Sequence, residues 1–107
     1  MAEKVLVVED EAEMRQVLSR FLIRQGYQVL EAASGEEGWR AIEETMFDLV
    51  ISDMAMEDLS GLELLERVRT TDATLPFIII TGDQYKGLMI IKPAHIRVKY
   101  IPLSRQN

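Results

Sequence analysis

The sequence predicts an α/β domain built around a doubly wound parallel β-sheet. Three short segments, residues 5–8, 49–51 and 77–80, are apolar throughout and rich in β-branched side chains. Strands that are apolar on both faces are typical of a parallel sheet covered by helices on both sides. Helical patterns separate these segments, and the alternation of strand and helix indicates right-handed βα units.

The first helix is predicted from an apolar periodicity that begins shortly after the first strand. Gly26 follows the periodic stretch as a C′ residue that would end the helix. Residues 28–32 then form a weaker strand, which we place at the edge of the sheet. The helix residues that recur at i, i+3, i+4, i+7 and i+8, and that we expect on the sheet-facing side, are Met14, Val17, Leu18, Phe21 and Leu22.

Two capping boxes predict where the second and third helices begin. Ser34 precedes Glu37 by three residues, and Ser60 stands in the same relation to Glu63. Pro76 then opens the strand that follows the third helix. The residues that we expect these two helices to turn towards the core are Trp39, Ile42 and Met46 in the second helix, and Leu62, Leu65 and Val68 in the third.

Acidic residues follow the predicted strands at the edge where function gathers in open α/β sheets. Glu9 and Asp10 follow the first strand, Asp53 ends the third, and Thr81 ends the fourth. Clustered carboxylates repel each other unless a cation lies among them, and oxygen ligands suit Mg²⁺ or Mn²⁺. A carboxylate can also act as a nucleophile and form an acyl phosphate. The alternative is structural, since a lone acid such as Asp58 commonly caps a helix or forms a turn.

Length, composition and charge limit the remaining possibilities. The chain has 107 residues, no cysteine and no apolar stretch long enough for a signal peptide or a membrane span. We therefore expect a single cytoplasmic domain, residues 1–107, without a disulfide framework. Residues 1–83 hold all 18 acids and seven bases, whereas residues 84–107 hold five bases and no acid. The acidic body argues against direct nucleic-acid binding.

Several motifs together resemble the response-regulator receiver family of two-component signalling. They are the segments 7–11, 48–56, 61–65 and 75–82, and the pair Lys92-Pro93. The resemblance covers residues 3–83 almost continuously. It implies a flavodoxin-like or CheY-like sheet with strand order 2-1-3-4-5.

The resemblance also implies a role for each residue at the predicted site. Asp53 matches the phosphoacceptor of the family. Glu9 and Asp10 match the acidic pair that holds Mg²⁺, Asp10 directly and Glu9 through water. The backbone carbonyl of Ala55 matches a third ligand position.

Two further residues match groups that contact the transferred phosphoryl group. Thr81 corresponds to the hydroxyl residue that helps to switch the domain, and Lys92 to the lysine that pairs with the phosphoryl oxygens. The usual donor in the family is a phosphohistidine on a sensor histidine kinase or a phosphotransfer protein. The resemblance implies a protein that accepts a phosphoryl group on itself and is not an enzyme. Slow autodephosphorylation would be its one catalytic activity.

The sequence departs from the family pattern at and after the phosphoacceptor. The acidic pair is Glu-Asp, not two aspartates. Glu57 stands where proline is usual, and Met89 stands where a switch aromatic is usual. Lys92 lies only 11 positions beyond Thr81, about half the family spacing, which leaves no room for a normal fourth helix.

The end of the chain does not resemble the family's fifth helix. Ile96, Val98 and Tyr100 alternate with basic residues, and Pro102 would interrupt a helix. A deletion, a foreign segment after residue 83 and a chance Lys-Pro match each explain these departures. Without the two helices, both faces of the fourth strand would lose cover. We therefore predict self-association, as a homodimer through the exposed C-terminal face.

Two alternative functions compete with the phosphoacceptor. A degenerate receiver would act only as an interaction or dimerisation module, as the missing helix and the displaced Lys92 suggest. An Mg²⁺-dependent aspartyl phosphohydrolase would need a general acid two residues after the nucleophile. That position is Ala55, which makes the phosphohydrolase the weakest of the three hypotheses.

Overall fold

The computed structural model describes residues 2–81, 87–91 and 99–102. Strands and helices alternate through the fourth strand, as predicted. No helix in the described ranges is long and apolar enough to cross a membrane. The elements are β1 (Lys4–Val8), α1 (Ala12–Arg24), β2 (Gln28–Ala32), α2 (Gly35–Glu44), β3 (Leu49–Asp53), α3 (Gly61–Thr71), β4 (Phe77–Thr81), β5 (Gly87–Ile91) and β6 (Lys99–Pro102).

The strands form one sheet in the order β2-β1-β3-β4-β5-β6. The predicted order 2-1-3-4-5 is confirmed, and β2 lies at an edge as expected. Strands β1 to β4 pair in parallel, with Val8 opposite Ser52 and Asp53 opposite Ile80. The carboxyl ends of β1, β3 and β4 therefore lie side by side at one edge of the sheet, where the candidate site residues follow.

The fifth strand takes its expected place beside β4 but runs antiparallel to it. Only residues 82–86 connect the two strands. Parallel neighbours need a crossover of a dozen or more residues, whereas antiparallel neighbours can be joined by a short connection. Strand β6 then pairs antiparallel with β5, in the segment where alternation argued against a fifth helix.

Two apolar clusters cover the two faces of the sheet. One cluster lies beneath α2 and α3, and the other beneath α1. The cluster between the sheet and helices α2 and α3 is built from strand residues and from the inward side of α3. Its buried members include Leu6, Val8, Val50, Leu64, Leu65, Val68, Phe77 and Ile79. The buried members of the cluster between the sheet and α1 are Val5, Val7, Leu22 and Ile51.

The prediction that β4 loses cover on both faces is wrong for one of them. Phe77 and Ile79 are fully buried in the cluster beneath α2 and α3. Helix α3 supplies Val68 to this cluster, and Leu75 closes it just before the strand begins. On the other face Ile78 and Ile80 are only half-buried, because among the described residues that face has α1 as its single covering helix.

Helix α1 packs on the sheet through a narrower face than its periodicity predicts. Leu22 is buried and Leu18 half-buried, but Val17 and Phe21 are each 59% exposed and Met14 is 39% exposed. The five apolar residues span a wide arc of the helix, and the sheet covers only the part that carries Leu18 and Leu22. The expectation that all five face the sheet is therefore wrong.

The predicted core residues of α2 and α3 also need two corrections. Met46 is 91% exposed because α2 ends at Glu44, and the buried side chain after it is Phe47. Leu62 is exposed in the first turn of α3, where Leu64 is fully buried instead. The other predicted core residues are at least half-buried; they are Trp39, Ile42, Leu65 and Val68.

The helix ends follow the predicted capping chemistry. Ser60 and Glu63 form a complete capping box. At α2 the predicted capping box is only half formed: the Ser34 hydroxyl accepts a hydrogen bond from the Glu37 N–H, but the Glu37 carboxylate accepts from the N–H of Ala33, the residue before the cap. Gly26 has a φ of 99°, which few other residues adopt without strain. The start of α2, the start of α3 and the end of α1 are thus fixed by local interactions.

Candidate functional site

Three carboxylates converge at the carboxyl edge of the sheet, as the sequence predicted. One carboxylate oxygen from each of Glu9, Asp10 and Asp53 lies within 4.8 Å of the others. Glu9 and Asp10 directly follow β1, and Asp53 is the last residue of the neighbouring strand β3. The adjacency of β1 and β3 is therefore what creates the cluster, which we call the carboxylate site.

Glu9 is held in place from several directions and is 4% exposed. Its carboxylate accepts a hydrogen bond from the Glu11 N–H at 3.1 Å. Its own N–H donates to the carbonyl of Ala32 in β2 at 3.0 Å. The Arg15 guanidinium donates to the Glu9 carbonyl at 2.8 Å and pairs with Glu31 at 3.5 Å. The sequence around Arg15 did not indicate this role, beyond placing a cation in the first turns of α1.

Burial and mutual repulsion raise the pKa values of these acids. Burial raises the pKa of Glu9 to about 7, against the opposing hydrogen bond from Glu11, and the charges of Asp53 and Asp10 add to the increase. Burial and then the charge of Asp10 raise the pKa of Asp53, although the backbone N–H groups of Met54 and Ala55 oppose this. The described residues therefore offset the negative charge of Glu9 and Asp53 only in part.

The carboxylate site fits Mg²⁺. Its donors are all carboxylate oxygens, the ligands that a hard divalent cation prefers, and they are close enough to share one ion. Residues that share a site in this way repel each other unless a cation compensates their charge. The pKa values of Glu9 and Asp53 are raised, mainly by burial, which indicates that the described residues compensate this charge only in part.

The loop after Asp53 is fixed to the sheet and to α3. The Met54 N–H donates to the carbonyl of Ile80 in β4 at 2.9 Å, and the Gly61 N–H donates to the carbonyl of Met54 at 2.8 Å. A Cβ atom at Gly61 would lie 2.5 Å from the carbonyl oxygen of Asp53. Only glycine allows α3 to begin so close to the end of β3. Ala55 is exposed in this loop.

Asp58 joins the same loop to a second helix. Its two carboxylate oxygens accept hydrogen bonds from the N–H groups of Gly35, at 3.0 Å, and Glu36, at 2.9 Å, in the first turn of α2. The N–H groups of Glu36 and Gly35 lower the pKa of Asp58. Asp58 is therefore a structural cap, as expected for a lone acid, although its sequence position gave no indication of which helix it caps.

We expect Asp58→Ala to lower the free energy of unfolding by about 1 kcal/mol, the usual effect of losing a helix cap. Because the pKa of Asp58 is lowered on folding, its contribution is present above the ordinary value of 3.8 and lost as the pH falls through the lower folded value. The deficit measured by urea unfolding should therefore shrink in acid. Replacing the neighbouring exposed Glu57 with alanine is the control, and a pH-independent deficit would contradict the assignment.

The structure describes only the backbone of Thr81 and no part of Lys92, the two other predicted site residues. Thr81 is the last residue of β4, whose neighbour is β3, so its backbone lies at the same edge of the sheet as Asp53. The Thr81 side chain and all of Lys92 lie outside the described residues. The positions of the hydroxyl and ammonium groups near the carboxylate site therefore stay predictions.

Comparisons with known proteins agree on one family. The family whose sequence profile matches residues 5–92 is the response regulator receiver domain. The response regulator GtcR of Aneurinibacillus migulanus is 37% identical over 109 residues, which cover 97% of this chain and 45% of GtcR. The chain thus spans less than half the length of this relative.

Solved structures show the same fold. The chemotaxis response regulator CheY4 of Vibrio cholerae is 32% identical, with a TM-score of 0.75 over 78% of this chain and 72% of that one. The response regulator TrrA of Thermotoga maritima, solved in complex with Mg(2+)-BeF, is 33% identical, with a TM-score of 0.74 over 77% of this chain and 71% of that one.

Proposed function

Because the chain belongs to the response regulator receiver domain family, we propose that it accepts a phosphoryl group on Asp53 with Mg²⁺ as its cofactor. The observation that carries the proposal is the position of Asp53. It ends β3 beside two other carboxylates, with one oxygen of each within 4.8 Å of the others. Glu9 is buried and Asp53 is half-buried, and acids held so close together away from water are expected of a site that binds a cation.

Each residue of the carboxylate site has a separate role in this proposal. Asp10, Asp53 and the Ala55 carbonyl would hold Mg²⁺ or Mn²⁺ directly, and Glu9 would act through water. The bound cation would neutralise charge on the phosphoryl oxygens. An Asp53 carboxylate oxygen forms the new bond to phosphorus while the bond between phosphorus and the donor's leaving atom breaks. Thr81 and Lys92 would contact the phosphoryl oxygens.

The proposed donor is a phosphohistidine on a sensor histidine kinase or a phosphotransfer protein, so the leaving atom is an imidazole nitrogen. The proposal includes a cytoplasmic location, since a chain without cysteine suits a reducing compartment. Residues 1–83 would form the family-like part of a single domain, and residues 84–107 its atypical C-terminal segment. A homodimer through the C-terminal face stays a prediction.

Intact mass after incubation with acetyl phosphate and Mg²⁺ tests the proposal. We expect one added phosphoryl group, lost on treatment with hydroxylamine, as an acyl phosphate requires. Asp53→Asn should gain nothing. Asp58→Asn is the matched control, because this acid lies in the same loop but faces α2, and it should be labelled like the parent. Labelling that persists in Asp53→Asn would overturn the assignment.

The second candidate is the interaction module, and the short spacing between Thr81 and Lys92 favours it. This candidate predicts that Mg²⁺ binds the carboxylate site but that no phosphoryl group is gained. The aspartyl phosphohydrolase is disfavoured because Ala55 offers no general acid. Catalytic turnover of a phosphomonoester such as p-nitrophenyl phosphate would be needed to restore that hypothesis.

A further inference from the structure

The side chain of Arg15 reaches back from α1 to the end of β1. Its guanidinium donates a hydrogen bond to the Glu9 carbonyl at 2.8 Å, and its Nε lies 3.5 Å from a carboxylate oxygen of Glu31. The Arg15 side chain is only 18% exposed, whereas the other two arginines of α1, Arg20 and Arg24, are exposed residues. Arg15 is therefore the arginine of α1 that is held against the carboxyl edge of the sheet.

The hydrogen bond from Arg15 acts on the main chain that leads into Asp10. The carbonyl that it binds belongs to the peptide unit between Glu9 and Asp10. A peptide unit is planar, so a bond to its oxygen fixes the plane that ends at the Cα of Asp10. On the other side of Glu9, its N–H donates to the carbonyl of Ala32 in β2 at 3.0 Å. The main chain is thus held on both sides of Glu9, at the point where it leaves β1.

Glu31 gives the guanidinium a second anchor. It lies in β2 opposite Val7 of β1, so it stands beside the strand that leads to the carboxylate site. A guanidinium is a planar fork with five N–H donors, so one arginine can contact a carbonyl and a carboxylate together, whereas a lysine ammonium acts as a point charge. The Glu31 side chain is 40% exposed, and such an ion pair contributes little to stability. Its effect is to orient Arg15.

The charge of Arg15 and its hydrogen bond would act in opposite directions on a bound cation. By charge alone, a guanidinium beside the carboxylate site repels Mg²⁺ and lowers its affinity. By its hydrogen bond, the same group holds the main chain that carries Asp10, and groups behind the direct ligands of a metal orient those ligands. Removing the guanidinium therefore changes the affinity in a direction that tells which effect dominates.

We propose that Arg15 is a positioning residue for the cation of the carboxylate site and acts through the peptide unit between Glu9 and Asp10. The proposal rests on the proposed function, because it takes Mg²⁺ as the cation and Asp10 as a direct ligand. In this role Arg15 binds neither the cation nor the phosphoryl group. Without the guanidinium the three carboxylates remain, but Asp10 is no longer fixed, and ordering it opposes binding of the cation.

Titration calorimetry of the metal-free protein with Mg²⁺ tests the proposal. We expect Arg15→Met, which keeps the aliphatic stem but removes the donors and the charge, to bind Mg²⁺ about tenfold more weakly than the parent. Arg15→Lys keeps the charge and should also bind more weakly, because an ammonium does not hold both anchors. Arg20→Met is the matched control, since it removes the same charge from an exposed position on α1, and it should bind like the parent. Urea unfolding establishes that each variant is folded at the temperature of the titration.

The order of the Asp10 amide in the metal-free protein gives a second readout, which does not depend on Mg²⁺. Its NMR order parameter should be about 0.85 in the parent, the value of a rigid backbone, and below about 0.6 in Arg15→Met. The amide of Ile51, inside β3, should keep the parent's value in both proteins.

Two results would overturn the positioning role of Arg15. They are an Mg²⁺ affinity in Arg15→Met that equals or exceeds the parent's, as charge alone predicts, and an Asp10 amide that stays rigid in this variant. A parent that binds no Mg²⁺ would instead refute the cofactor of the proposed function, and the role of Arg15 with it.

Discussion

Replacing Gly61 with alanine is expected to lower the free energy of unfolding by about 2–3 kcal/mol, the effect of inserting a methyl group where the packing cannot relax. The new Cβ would lie 2.5 Å from the carbonyl oxygen of Asp53 and 3.2 Å from the Cα of Met54. Both are backbone atoms at the end of β3, so neither can rotate away. Either α3 or the end of β3 must shift, and a shift of β3 would move Asp53 out of the carboxylate site.

Urea unfolding and the rate of labelling by acetyl phosphate measure the two consequences of Gly61→Ala. Gly26→Ala is the control, since nothing lies within 4 Å of its added Cβ but its φ of +99° disfavours a side chain. The control should lose about 1 kcal/mol from backbone strain and keep the parent's labelling rate. Parental stability and labelling in Gly61→Ala would contradict the close packing of α3 on β3.

Replacing Glu9 with glutamine is expected to stabilise the metal-free protein by on the order of 2 kcal/mol at pH 7.5. Folding raises the pKa of Glu9 from 4.5 to about 7, mainly through burial. The folded state therefore binds the proton more tightly, and this contribution to stability is full below pH 4.5 and is lost as the pH rises to about 7. Glutamine carries no charge and can still accept the hydrogen bond from Glu11.

Thermal unfolding in a chelator at pH 5 and pH 7.5 measures this difference. The advantage of Glu9→Gln should grow with pH, whereas Glu43→Gln, an exposed position on α2, should show no such growth. At pH 7.5 Mg²⁺ should make the parent more stable than Glu9→Gln. A ligand that binds only the folded state gives the larger stabilisation to the protein that binds it more tightly, which we expect to be the parent. A Glu9→Gln variant less stable than the parent in chelator would contradict the charge repulsion.

Local patterns in the sequence determined most of the fold through β4. Apolar β-branched segments identified the strands, and the serines at positions 34 and 60 identified the starts of two helices. The convergence of Glu9, Asp10 and Asp53 followed from the expected order of parallel strands, because their carboxyl ends share one edge of the sheet. These features depend on interactions between near neighbours or on topology, and both leave a signal in the sequence.

The tertiary structure alone decided which part of each pattern is buried and which groups meet across the chain. Periodicity placed Met14, Val17 and Phe21 on one apolar arc with Leu18 and Leu22, but the arc is wider than the surface the sheet covers. Asp58 reaches α2 and Arg15 reaches β2 only after the chain has folded. The raised pKa of Glu9 likewise depends on burial, which the sequence of a single segment does not specify.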